Sequence, residues 1–320
     1  MGLAAQCVCS ARSSSHPPPR EPAPSRVTLT SSDDAEGDVH GSYDAEVNPK
    51  LRSSLKYEVE GQHIVAEILP SVLQNHVTNE KPSRALTLIF HGSTGTGKNY
   101  VADRVVEAMF RDGLNSKYYH KYLGYHHASR GEAFLRNFVE SAVKACPRAL
   151  FVFDELELVP EGLLDRLSTY VQGHDKVEGV SYRQATFIFL VNSGHKHIVE
   201  TTVQAFRDGR DRRSITYKSL EEKLHNESFV ESGAFQFSHL LSNHLVSYSF
   251  PFLPLERNHV RGCIRREFKK QNDGEFQEED VEEVMDYMSF MPSDIQQFSE
   301  TGCKRVREMV ELWLIERRAT

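Results

Sequence analysis

The sequence predicts an α/β protein: a parallel β-sheet with helices on both faces, followed by a small helical lid. Three observations carry this. Short, almost wholly apolar runs of strand length alternate with stretches of helical periodicity, the pattern of a sheet buried on both sides. A glycine-rich loop joins the first of these runs to a helix. Beyond residue 254 no strand-like run appears, only helical periodicity. With 320 residues, 39% of them hydrophobic, the chain can bury one large core and a smaller one.

The elements follow in order. From Ser10 to about Pro49 the chain is rich in Ser, Pro, Asp and Glu and poor in large apolar residues, so residues 1–49 read as a disordered tail. Met1 to Cys9 lacks basic residues and is broken by Gln6, which makes it a poor signal peptide. Order is expected from about Leu51, and Ile64, Ile68, Val72 and Leu73 recur at helical spacing in a segment that ends before Pro82. Buried strands are expected at Ala85–Phe90, Ala149–Phe153 and Ala185–Val191, with a helix over Val101–Phe110. Pro251-Phe252-Leu253-Pro254 reads as a hinge. After it come helical stretches at Glu256–Lys270, Glu279–Met288 and Gly302–Ile315. The division is therefore an α/β domain over residues 50–252 and a helical lid over 253–320.

A net charge of −7 gives no electrostatic case for a nucleic-acid partner. No run approaches the roughly 20 apolar residues of a membrane-spanning helix. The five cysteines are too few and too scattered for a disulfide scaffold or a zinc site.

Gly92-Ser93-Thr94-Gly95-Thr96-Gly97-Lys98-Asn99 follows a strand and opens a helix, the context a phosphate-binding loop requires. Its glycines let backbone N–H groups converge on phosphate oxygens, the helix start adds partial positive charge, and Lys98 reaches the outer phosphates. Asn99 stands where Ser or Thr normally meets magnesium; its amide oxygen can face Mg2+ directly or through water. A glycine-rich turn without a ligand is the plainer alternative. Asp154 and Glu155 end the second strand, and two carboxylates there are costly unless a cation sits beside them. In phosphate-loop ATPases the first enters the magnesium shell and the second polarises the attacking water; taken alone, such a pair is usually the solvated start of a loop. Asn192 ends the third strand, at the sheet edge where ligands bind, and is equally a turn residue before Ser-Gly.

These residues, with Gly113-Leu114-Asn115-Ser116, Val177-Glu178-Gly179-Val180-Ser181-Tyr182, Phe187-Ile188-Phe189-Leu190, Pro251 to Leu255 and Gly302-Cys303-Lys304, resemble the torsin family, AAA+ ATPases of the Clp-like branch. The resemblance runs from about Leu51 to the C-terminus. It implies ATP and Mg2+ as ligands, Asn192 as the sensor on the third strand, and Lys304 as the lid cation approaching the γ-phosphate. It also implies Gln62, in Gly61-Gln62-His63, beside the adenine, and Cys263 with Cys303 as a pair linking redox state to nucleotide sensing. As residues alone, the two cysteines are equally small buried hydrophobes.

The family works in the endoplasmic reticulum lumen and nuclear envelope. Its members hydrolyse ATP weakly until the lumenal domain of a membrane-bound activator, such as lamina-associated polypeptide, supplies an arginine finger in a mixed ring. The family's hydrophobic N-terminal segment has no counterpart here. Pro292 to Phe298 lacks the paired glutamates of the best-known member. Asn226-Glu227-Ser228 is a glycosylation triplet of a kind common by chance. The aromatic stretch Tyr118 to Tyr125 reads as a strand entering a loop rather than a substrate-gripping pore loop. Arg207, Arg210, Arg212 and Arg213 read as a solvated mixed-charge face. Two rivals stand beside an ATPase: an ATP-loaded binding switch, and a small-molecule phosphotransferase.

Overall fold

The structure, a computed structural model, describes residues 47–160, 162–221, 224, 245–271 and 275–319. Most of the N-terminal tail and the Asn226 triplet lie outside the described residues.

Five parallel strands form the central sheet: β1 (Leu86–His91), β2 (Tyr119–Leu123), β3 (Leu150–Asp154), β4 (Thr186–Val191) and β5 (Tyr248–Pro251), in the order β2-β3-β4-β1-β5. Strand side chains alternate between faces, and both faces are covered, which is why these runs are apolar throughout. Phe151, Phe153, Phe187 and Phe189 point to one side. There Phe151 stacks on Phe187 and Phe153 on Phe189, each pair with centroids 5.0 Å apart and in direct register. They pack on Leu135, Val139 and Val143 of helix α4 (Gly131–Ala145). Leu88, Phe90, Val152 and Ile188 point to the other side, onto α1 (Val47–Glu58), α2 (His63–Thr78) and α3 (Lys98–Met109). Helix α5 (His195–Arg207) follows β4.

The lid comprises α6 (Arg257–Gln271), α7 (Glu278–Asp286) and α8 (Val306–Ala319), which bury Val260, Ile264, Phe268, Val284, Val310 and Trp313 in a core of their own. It also holds a short antiparallel pair, β6 (Phe290–Met291) and β7 (Phe298–Ser299).

The structure departs from the sequence reading in four places. Helix α1 starts at Val47, inside the stretch read as tail, and buries Val47, Leu51 and Leu55 at four-residue spacing. Pro251, read as part of a hinge, belongs to β5. As an edge strand, β5 tolerates a residue that cannot donate to the ladder. The last helix begins at Val306, not Gly302, because residues 301–305 form a turn. The lid, read as helical alone, contains the β6–β7 pair. Among the described residues, no helix is long and apolar enough to cross a membrane.

Candidate functional site

Strand β1 delivers the phosphate loop to the carboxyl edge of the sheet. Gly92 (φ 151°) leaves no room for a side chain, since a Cβ there would lie 2.6 Å from the Phe252 carbonyl oxygen. Gly97 (φ 102°) caps α3 in the left-handed region, and no side chain caps the helix start. Its first N–H groups therefore remain available to an anion.

The loop is pinned from beneath by Gln62, which is 3% exposed. Its Nε2 donates to the carbonyls of Thr96 (3.0 Å) and Leu253 (2.9 Å), and its Oε1 accepts from the Leu253 N–H (2.9 Å). Gln62 thus spends its amide on the backbone and borders a separate cavity of about 710 Å³ instead of the phosphate cavity. Although the larger of the two, that cavity holds none of the carboxylates or the lysine of the site.

The cavity at the loop measures about 510 Å³. Thr94 to Asn99, Asp154, Glu155 and Asn192 line it from the sheet side, and Arg266 and Lys304 from the lid. Gly92 and Ser93 lie below, offering carbonyls to the Lys98 ammonium, which also donates to Asn192 Oδ1 at 3.0 Å. Burial pulls the Lys98 pKa down to about 8, partly countered by the charges of Glu157 and Asp154 and reinforced by Lys304. A desolvated lysine surrounded mostly by neutral acceptors is a fitting receptor for a polyphosphate.

Strand β3 places the carboxylates. Asp154 Oδ2 lies 3.4 Å from Lys121 Nζ on the neighbouring β2, and Asp154 Oδ1 accepts the Glu155 N–H at 3.0 Å. Glu155 takes a left-handed conformation (φ 56°, ψ 41°), strained for a residue with a side chain, and is exposed at the cavity. This turn folds the chain back over β4, so that Glu157 Oε1 accepts the Asn192 N–H at 2.8 Å. Asp154 and Asn99 are hard oxygen donors. Among the described residues no group of three or more acidic, His or Cys side chains could hold a metal alone. Such a donor set suits Mg2+, which keeps waters and takes phosphate oxygens as ligands, better than a self-sufficient metal centre.

The lid closes on the loop through backbone. The Cys303 N–H donates to the Gly95 carbonyl at 3.1 Å, and a Cβ on Gly95 would run into the Thr301 carbonyl oxygen, as one on Gly302 would into that of Gly95. Lys304 follows at once, and Cys303 is disulfide-bonded to Cys263 of α6.

Three residues escaped the sequence reading. Glu157 had no signal of its own beyond its place after the acidic pair. Glu60 accepts from Arg266 at 2.8 Å and packs on Gly262, joining the segment before α2 to the lid. Arg212, read as part of a solvated face, is half-buried, its side chain 12% exposed: its guanidinium donates to the carbonyls of Gly61 (2.9 Å) and Pro254 (2.9 Å) and pairs with Glu256 (3.1 Å). Of its neighbours, Arg207 pairs with Asp294, Arg210 with Asp208 and Arg213 with Glu67. Tyr119 to Leu123 form β2, and Gly124–His127 is a helical turn with Tyr125 exposed.

Comparison with known proteins follows the same outline. The family model described as Torsin matches residues 41–153, and that of the Torsin-1A C-terminal domain matches residues 255–313. A "Torsin-like protein" of Caenorhabditis elegans is 35% identical over 260 residues, covering 79% of this chain and 73% of that protein. Among solved structures, the S. cerevisiae Hsp104–ADP complex superposes with a TM-score of 0.59 at 16% identity, over 85% of this chain. The chain spans 48% of that one, and the likeness carries the AAA+ fold.

Proposed function

The chain belongs to the torsin family of AAA+ ATPases, and from that premise we propose that it hydrolyses ATP when a membrane-bound partner completes its site. The observation that carries this is the meeting of Lys98, Asp154, Glu155 and Asn192 in one cavity, closed from above by Lys304.

In this reading the N–H groups of residues 94–99 cradle the β-phosphate and Lys98 turns from its carbonyls to the β- and γ-oxygens. Asp154 and Asn99 hold Mg2+, which neutralises charge on the phosphate oxygens when bound. Glu155 orients a water and takes its proton as the oxygen attacks the γ-phosphorus and the bond to ADP breaks. Asn192 fixes the γ-phosphate from β4, and Lys304 approaches it from the lid. An arginine from the lumenal domain of a lamina-associated-polypeptide-like activator, adjacent in a mixed ring, supplies the remaining positive charge. Such a finger is worth about 10³–10⁵ in rate. The setting is the endoplasmic reticulum lumen or nuclear envelope, and the work is remodelling of protein or membrane complexes. The Cys263–Cys303 bond, one residue from Lys304, is the proposed redox input to nucleotide sensing.

A second reading, an ATP-dependent binding switch with little hydrolysis, draws support from Lys121 beside Asp154 and from Asn99 in place of a hydroxyl. Turnover of the full chain with and without the activator's lumenal domain separates the two. Strong stimulation that Glu155→Gln abolishes, with ATP binding retained, is the expected result. ATP binding without any stimulated turnover would leave only the switch.

A further inference from the structure

We propose that Glu157 is a positioning residue for ATP hydrolysis: from the turn after β3 it holds the end of β4, so that Asn192 and Lys98 face the γ-phosphate as one unit. The inference rests on the ATPase reading above and adds to it a residue that touches neither nucleotide nor metal in that scheme.

The geometry is a relay across three neighbouring strands. The left-handed Glu155 reverses the chain, and Leu156 and Val159, 1% and 3% exposed, anchor the return against the sheet. Between them Glu157 reaches sideways and accepts the Asn192 N–H at 2.8 Å. Asn192 is the first residue beyond β4 and has no ladder partner for that N–H, so its backbone orientation depends on the carboxylate. With the backbone held, its Oδ1 accepts from Lys98 at 3.0 Å, and its carbonyl accepts the His195 N–H (3.2 Å) and a ring nitrogen (2.8 Å) at the entry to α5. The three side chains come from the Glu155 turn, the β4 end and the phosphate loop, and the bond from the Asn192 N–H to Glu157 is a hydrogen-bonded joint between the first two.

A hydrogen bond to a charged acceptor is among the stronger ones and, at a solvent-facing site, sets orientation more than stability. A small rotation of Asn192 would leave nucleotide bound by the loop while the γ-phosphate and attacking water lose their alignment, and misplacement of about 1 Å can cost roughly 10²-fold. The expected signature is a loss in kcat with KM little changed.

The test compares Glu157→Gln, which keeps an acceptor oxygen, with Glu157→Leu, which does not. In the partner-stimulated assay the full chain with Leu should lose tenfold or more in kcat, with KM within about twofold and Tm unchanged; Gln should recover most of the rate. Wild-type kcat in Glu157→Leu overturns the proposal. So does a parallel fall in Tm or nucleotide affinity, which would mark a merely structural role. If the wild-type chain binds ATP without turnover, the ATPase reading fails by itself. The relay is then read from the ³¹P shift of the bound γ-phosphate: displacement by Leu but not Gln supports it, and no displacement by Leu overturns it.

Discussion

The phosphate loop has two neighbours, and they hold it by opposite means. On the body side a buried side chain, Gln62, bonds to the backbone of Thr96 and Leu253, and Lys98 ties the loop to β4. On the lid side, among the described residues, no side-chain hydrogen bond reaches the loop. A single N–H from Cys303 meets Gly95, and two glycines pack backbone on backbone. The difference teaches that the loop's shape belongs to the body, whereas the lid contributes position alone. A side-chain network resists opening because buried groups lose their partners. A bare backbone contact is lost at little cost and can be remade.

The sharpest way to break this comparison is on the body side. Glutamine 62 replaced by leucine (Gln62→Leu) strands three buried backbone groups, and a stability loss of about 3–4 kcal/mol is expected in denaturant titration. Should that variant keep wild-type stability, the loop's shape does not depend on the body network.

Next in size is the lid side. In Gly302→Ala the new methyl meets the Gly95 backbone at a position of positive φ (55°), so roughly 1–2 kcal/mol of lid docking is lost. That corresponds to about a tenfold weaker Kd for ATP, read with a fluorescent analogue, while the body's unfolding transition stays in place. Equal losses in both quantities would erase the distinction between shape and position.

The smallest effect concerns pH at the junction. Burial, together with the charges of Arg212 and His63, pushes the His259 pKa down to about 4. The folded chain keeps this ring neutral while the unfolded chain protonates near 6.5. Its contribution is therefore complete above 6.5 and is lost as pH falls toward 4. About 1 kcal/mol should disappear by about pH 5.8, seen as a steeper acid fall of Tm than in His259→Gln.

Much of the fold was legible because burial on both faces forces continuous apolar runs, which β1, β3 and β4 show. Strand β5 was not: it is four residues long, lies at the edge and ends in Pro251, which reads locally as a break. Helix α1 hid because its three apolar residues stand among polar ones, and only packing against α2 and α3 distinguishes them from a tail. At the site, Gly92 to Asn99 could be located because the loop's geometry is written in closely spaced glycines, Gly92, Gly95 and Gly97. Glu157 and Arg212 act through the Glu155 turn and through segments distant in sequence, and no local pattern announces either.

One consequence of the strand order concerns scale. Glu155, Asn192 and Gly92 follow the ends of β3, β4 and β1, three strands side by side. Parallel strands repeat at about 4.8 Å, a spacing fixed by peptide hydrogen bonds rather than by side chains. The sheet is thus a ruler, and the residues lining the site are its graduations. Substitution can exchange what stands at each mark, but the intervals between marks stay the same.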